Sequence, residues 1–453
     1  MKVHVESSTR ATIGAGVVGV LLVYLGVSAG TIGFALVLGG MLAILLVMFA
    51  GLRALALTLA FGAFFFSPMI AVRLSDSITV GDVLLVGAVA VALLSNKGAE
   101  SLPASGKHIS WAACLLVLGG LIGTIATSTA PTESAMQLAQ YAIAVLLSLG
   151  LVRLLKPGKK VLTWMGVAYG LGASVSCLVA VMDKVNPRPA GLALHSNHLA
   201  ISAALAVGIW LALLMATKSR LLALLSLAGI TLCVWGTIIG GSRAGIVAIA
   251  VVVLGAVVGL GASKLSMFLL LAGGGFLYAI SVGFIDISGK HNAIGRLLGG
   301  GSAEEADMGR SLKYEAVWDR INNNMFVGNG FENARDGHSL YLQMWDSGGV
   351  LGILAAVILV LAAVAAFLRA RRTKNRLAVV LWSGYIGYLA AAILSNQMWD
   401  RYIWLALALA IMSEHFTPKP EPLAAPQNHV TVPSVLLRKT STGSHYGRVP
   451  ARF

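Results

Sequence analysis

The chain has 453 residues, of which 57% are hydrophobic and only 11% charged. A soluble domain carries about 25% charged residues, so a string of soluble domains is excluded and a membrane-embedded chain is expected. The net charge of +15 is read as topology and not as nucleic-acid binding, because much of the excess Lys and Arg sits in short connections and in the C-terminal tail.

Apolar segments follow one another near residues 11–29, 32–50, 54–70, 78–95, 110–128, 134–154, 160–181, 193–216, 220–238, 244–261, 265–284, 346–369, 376–394 and 398–414. Continuous stretches of about 17–25 residues are helical spans, whereas a barrel shows alternating segments of about 10. The expected fold is therefore an all-α polytopic membrane protein with about 12 (12–14) transmembrane helices. The first run ends Val27-Ser28-Ala29, which weakly resembles a signal-peptide cleavage site. Its length and the span that follows at once favour an uncleaved anchor. Cys114, Cys177 and Cys233 lie inside apolar segments without a pairing or metal pattern, so they are small core residues.

Orientation follows from Lys97 and Lys107, from Arg153 to Lys160, from Lys218 and Arg220, and from the cluster Arg369, Arg371, Arg372, Lys374 and Arg376. Alternate crossings with an N-terminus inside place all of these in the cytoplasm. The other connections then face outward. Four regions are expected: a bundle over 1–284, a large outer loop over 285–345, C-terminal spans over 346–414, and a Pro-rich, basic, disordered cytoplasmic tail over 415–453. The loop carries eight of the eighteen acidic residues, and a loop of this length inside a compact protein is usually functional. Its stretch 308–322 has helical character without a clean apolar stripe.

Three outward-facing groups carry chemistry. Gly240-Gly241-Ser242-Arg243-Ala244-Gly245 opens a span; small residues permit close approach of a phosphate, and a guanidinium fits a pyrophosphate. The loop holds Arg310 and Trp318, then a run of Asn before Gly328-Asn329-Gly330; Trp318 and the asparagines are candidates to line a sugar site. Just before the next span stands His338, and on a helix 338, 341, 342 and 345 share a face, which points His338, Tyr341 and Trp345 toward one cavity. Histidine accepts a proton near neutral pH. His195 and His198 lie near Arg188, but no Asp, Glu or third His joins them at ligand spacing, so they are read as lining or packing groups and no metal is expected. Arg73 and Arg401 stand at outer span ends as further anion contacts. Each group alone reads equally well as an interfacial anchor or a solvated turn. A P-loop and an Asp-x-Asp metal motif are absent from the sequence, and there is no clear Rossmann fingerprint.

In order and spacing, Gly241-Ser242-Arg243-Ala244-Gly245 and Arg310…Trp318…Gly328-Asn329-Gly330…His338-Ser339-Leu340-Tyr341-Leu342…Gly348-Gly349-Val350-Leu351-Gly352 resemble the O-antigen ligase family, which is related to O-antigen polymerases and bacterial oligosaccharyltransferases. Many members have His-Asn where this chain has His338-Ser339. The resemblance covers about a quarter of the chain by motif and the rest by hydropathy. It implies a GT-C-type glycosyltransferase in the bacterial inner membrane with its active site facing the periplasm. The donor would be a glycan on undecaprenyl diphosphate and the acceptor the lipid A–core of lipopolysaccharide, joined by inverting transfer with no metal or other cofactor. Arg243 and Arg310, with Arg188, would hold the diphosphate, and His338 would activate the acceptor hydroxyl. His195, His198, Trp318, Tyr341 and Trp345 would line the substrates. A polymerase using a lipid-linked acceptor is the nearest alternative, and a flippase for lipid-linked glycan is the alternative from another class.

Overall fold

The computed structural model describes residues 45–75, 78–95, 98–261, 267, 273–274, 292–297, 303–333 and 338–416. The expected span at 11–29, most of those at 32–50 and 265–284, and the tail beyond Phe416 lie outside them. The described chain is helical, with one isolated bridge between Arg73 and Thr79. In order the helices are α1 (Leu52–Phe66), α2 (Val80–Ser95), α3 (Ala104–Ala126), α4 (Pro131–Leu155), α5 (Lys159–Met182), α6 (Ser196–Ala216) and α7 (Arg220–Ile239). There follow α8 (Arg243–Leu260), α9 (Ala293–Leu297), α10 (Ala303–Asn323), α11 (Leu340–Arg372), α12 (Arg376–Ala391) and α13 (Arg401–Ser413). Among the described residues seven of these, α3 to α8 and α11, are long and apolar enough to cross a membrane, and α1, α2 and α12 are shorter apolar helices. The described residues form an all-α, multi-pass membrane protein, and the apolar segments that fall among them lie on helices.

Local chemistry sets the boundaries. Ser219, Ser242 and Asn375 cap α7, α8 and α12 by accepting backbone N–H bonds, and Pro131 occupies the first position of α4, where its missing N–H costs nothing. Lys156 ends α4 in the left-handed region. Residues 199–213 of α6 and 402–413 of α13 are buried without interruption apart from their ends. A helix that is apolar all round belongs in the middle of a bundle, and α6 lies against α5, α7, α8 and α12. Gly208 of α6 meets Gly384 of α12 so closely that a methyl group there would lie 3.0 Å from the Gly384 Cα. Small residues of this kind let helix backbones approach where lipid gives no hydrophobic drive.

The two ends of the bundle differ. At one end the basic connections are tied together: Arg53 donates to the Leu155 carbonyl, Arg153 to the Glu100 carbonyl, and Asn375 to the Ser413 carbonyl. Glu414 there accepts from Ser105 and pairs with Arg369 at 3.7 Å. At the opposite end the Ala71 N–H donates to the Leu192 carbonyl and that of Leu340 to the Ala392 carbonyl. All of the singled-out arginines and histidines lie at this second end, called the site end below.

The loop is part of the body at the site end. Glu332 accepts from the Ser128 hydroxyl, from Thr129 Oγ1 at 2.9 Å and from the Ala130 N–H at 2.6 Å. Partial burial opposes the charge on Glu332, but these donors hold its carboxyl below the usual glutamate range. Helix α11 breaks at Gly349, whose φ of 57° is left-handed. There the Val350 N–H leaves the helical ladder and donates to the Phe326 carbonyl at 3.1 Å. A methyl group on Gly349 would lie 2.2 Å from that carbonyl oxygen. Gly349→Ala is expected to cost about 1–2 kcal/mol through the backbone conformation alone, and more through the forced separation. A lower unfolding temperature of the solubilised protein, with faster proteolysis between 324 and 333, would register it; an unchanged melting curve would refute the account.

Candidate active site

Two helix N-termini meet at the site end. His195 caps α6, its Nδ1 accepting from the Asn197 N–H at 3.2 Å. Ser242 caps α8, and its hydroxyl donates to Asn197 Oδ1 at 2.9 Å. That bond fixes the two caps side by side. The turn before α8 is held from below by Arg296 of α9, which is 2% exposed and donates to the Gly241 carbonyl. Gly245 is needed for packing, since a methyl group there would lie 2.5 Å from the Ala200 Cβ. The Gly/Ser pattern around Arg243 is thus explained by caps and close contact. A cation in the first turn of a helix opposes the macrodipole, so Arg243 does nothing for α8 by itself.

Three arginines converge here. Arg188, in the connection between α5 and α6, donates from Nη2 to the Ser196 hydroxyl at 2.9 Å. Burial lowers its affinity for its proton, and the positive charges of Arg310 and Arg243 lower it further. Arg188, Arg243 and Arg310 therefore share one electrostatic environment, although they come from a loop, from α8 and from α10. His338 borders it: its pKa is pulled below the ordinary imidazole value by burial, then by Lys313, Arg310 and His195. His195 is lowered by burial, then by His198 and Arg188. Both rings are held toward the neutral form, and His195 already uses Nδ1 as an acceptor.

Arg188, Arg243, Arg310, His195 and His338 influence one another electrostatically, whereas Tyr341 and Trp345 have other partners. His338 precedes the helix, which starts at Leu340 with Ser339 as its cap, so it does not share a helical face with Tyr341 and Trp345. Those two instead line an apolar hollow of about 470 Å³ with Ile353, Val357 and Leu361 of α11. Tyr341 donates to the Leu389 carbonyl at 2.6 Å, and Trp345 donates to the Met325 carbonyl and meets Trp318 edge to face at 5.4 Å. Asn329, expected to line a sugar, is committed to the fold: its amide donates to the Arg320 carbonyl and to Asp346 Oδ1, and its oxygen accepts from Asn324.

His198 does have a carboxylate beside it. Asp400, two hundred residues away, comes within 3.9 Å of Nε2. Sequence spacing carried no sign of this contact, because it is made by the connection between α12 and α13. Arg296 was also not singled out; an arginine inside the apolar run Ala293-Ile294-Gly295-Arg296-Leu297 is the signal that points to it. Among the described residues no group of three or more His, Cys, Asp or Glu side chains is placed to hold a metal ion.

The arrangement is a cationic cradle at two adjacent helix N-termini, with a neutral imidazole at its edge. It suits an anion with two or more oxygens to share, such as a diphosphate. Compared with known proteins, the chain matches no family model and no curated protein.

Proposed function

We propose that the protein is a metal-independent, inverting glycosyltransferase of the O-antigen ligase type, with a GT-C-like fold of about twelve spans and its site on the periplasmic face of the inner membrane. The observation that carries this reading is the convergence of Arg188, Arg243 and Arg310 beside a half-buried, neutral His338. The donor is a glycan on undecaprenyl diphosphate and the acceptor a sugar hydroxyl of lipid A–core.

The chemistry needs these groups and little else. His338 takes the proton of the acceptor hydroxyl, whose oxygen bonds to the anomeric carbon from the face opposite the leaving group. The anomeric C–O bond breaks, its electron pair leaving with the diphosphate, and the arginines stabilise the charge that develops there. Fixed guanidinium groups do the work that a divalent ion does in many soluble enzymes. The apolar lining of the hollow on α11 suits a polyprenyl chain. Holding two membrane-anchored substrates in one place lowers the entropic part of the barrier.

The test is reconstitution of the purified chain with undecaprenyl diphosphate-linked glycan and lipid A–core, with chelator and without nucleotide. A lipopolysaccharide band of lower mobility is expected. Longer lipid-linked glycan alone would identify a polymerase, and movement of the carrier without a new glycosidic bond a flippase. The pH profile adds a second check. His338 loses its proton below the ordinary histidine value of about 6.5, so kcat/KM should fall only as pH drops below that point. Bound diphosphate offsets Arg310, so the acid limb of kcat should lie at higher pH than that of kcat/KM. An acid limb that survives in His338→Ala would remove this residue from the mechanism.

A further inference from the structure

A second compartment lies beside the cationic cradle. It is a hollow of about 470 Å³, within the range of about 300–1,000 Å³ typical of small-molecule sites, and it is walled by α4, by the connection between α1 and α2, and by that between α12 and α13. His198 lines it, whereas Arg188, Arg243, Arg310 and His338 do not. The histidine pair, with ring centres 6.3 Å apart, therefore stands between the two compartments.

Most of the helices around this hollow are too short to cross a bilayer unaided, which suits a recess set below the membrane surface. Helices α1, α2, α12 and α13 have 15, 16, 16 and 13 residues. At 1.5 Å per residue they reach only about 20–24 Å, short of the roughly 30 Å hydrocarbon core. Helix α4, with 25 residues, is long enough to reach the surface. The two short hairpins leave a recess in the site end. Non-helical backbone at such depth is tolerated only where it is buried in protein or lines a wet cavity, and residues 392–400 are non-helical backbone of this kind.

The lining is that of a polyol site. Arg73 and Arg401 are offset by Glu133 and Asp400, and Arg401 is further paired with Asp82. With no strong net sign, the hollow does not compete with the arginine cradle for a diphosphate. Gln137, His198 and Trp399 line it, and each has a buried polar atom without a hydrogen-bond partner: Oε1, Nδ1 and Nε1. Buried polar groups are normally paired, and a ligand rich in hydroxyls offers both donors and acceptors. Trp399 is held rigidly, 5.9 Å from Tyr141 and 5.1 Å from Phe331 by ring centres, so its ring is a fixed platform for the apolar face of a sugar.

We propose that this recess is a carbohydrate subsite that takes the headgroup sugars of a membrane-anchored glycolipid and presents a hydroxyl past His198 to the cradle. That the glycolipid is the acceptor rests on the transfer reading above; that the recess binds sugar does not. The probe is core oligosaccharide released from lipopolysaccharide, titrated onto the full chain in nanodiscs and read by saturation-transfer NMR and calorimetry. Trp399→Leu removes the aromatic platform, and Gln137→Leu removes an amide from the wall. Each is expected to weaken oligosaccharide binding by about tenfold, the scale of one hydrogen bond, with undecaprenyl diphosphate binding unchanged. Variants that bind as tightly as wild type, a wild type that does not bind, or binding lost instead through Arg243→Ala would overturn the subsite. Binding lost in both variants of a protein that transfers nothing would support the sugar site and overturn the transferase reading alone.

Discussion

Arg310→Ala is expected to lower transfer by about 10²–10³-fold, the scale of removing one preorganised charge donor. Burial, and then the charges of Arg310 and Arg243, loosen the hold of Arg188 on its proton, so the three cations act on one another and an anionic leaving group is what offsets them. Arg243→Ala, at the first position of α8, should behave alike. Arg310→Lys restores the charge but not the planar fork, so partial recovery is expected. Thermal unfolding in detergent and a transfer assay on the same preparation make the comparison. Loss of stability in parallel with loss of activity would mean that Arg310 is structural.

A different signature is expected at Arg320. It donates twice to Asp346 Oδ2, at 3.0 and 2.9 Å, and Asp346 is only 1% exposed. Removing one partner of a buried pair leaves the other charge unpaired, a loss on the order of 3 kcal/mol. Arg320→Ala should therefore lower the unfolding temperature markedly, and transfer only as far as the loop loosens. The double variant Arg320→Met with Asp346→Leu should recover part of the stability, because no unpaired carboxylate is left behind, although the Asn329 amide loses one of its acceptors. A double variant no more stable than Arg320→Ala would show that the pair is not what holds α10 to α11.

The spans were legible because each announces itself locally. An apolar run of twenty residues needs no partner to be read, and the helices from α1 to α8 begin and end within a few residues of those runs. Arg243 and His338 drew attention for a related reason: each is a polar group at the edge of such a run, beside small residues or aromatics. The start of α11 was misjudged because helical spacing was carried back through Ser339, a residue whose extended backbone ends the helix. The role of Asn329 was hidden because its partners, Arg320 and Asp346, lie nine and seventeen positions away, and nothing in a turn motif says whether its amide faces a ligand or the fold. The contact of Asp400 with His198, and the recess they border, arise only when four short helices are assembled.

The break at Gly349 bears on how such proteins can be recombined. A backbone amide of the spanning helix is satisfied by a carbonyl of the loop, and the Asn329 N–H in turn donates to the Asp346 carbonyl. Loop and helix complete each other's ladders, so the polar loop is not a cassette that can be exchanged between clean junctions at the membrane surface. A chimera that takes residues 303–339 from one parent and α11 from another inherits two halves of a joint that were never fitted to each other. The unit of exchange is the loop together with the helix through Gly352, and crossover points are better placed below it, in the uninterrupted part of α11.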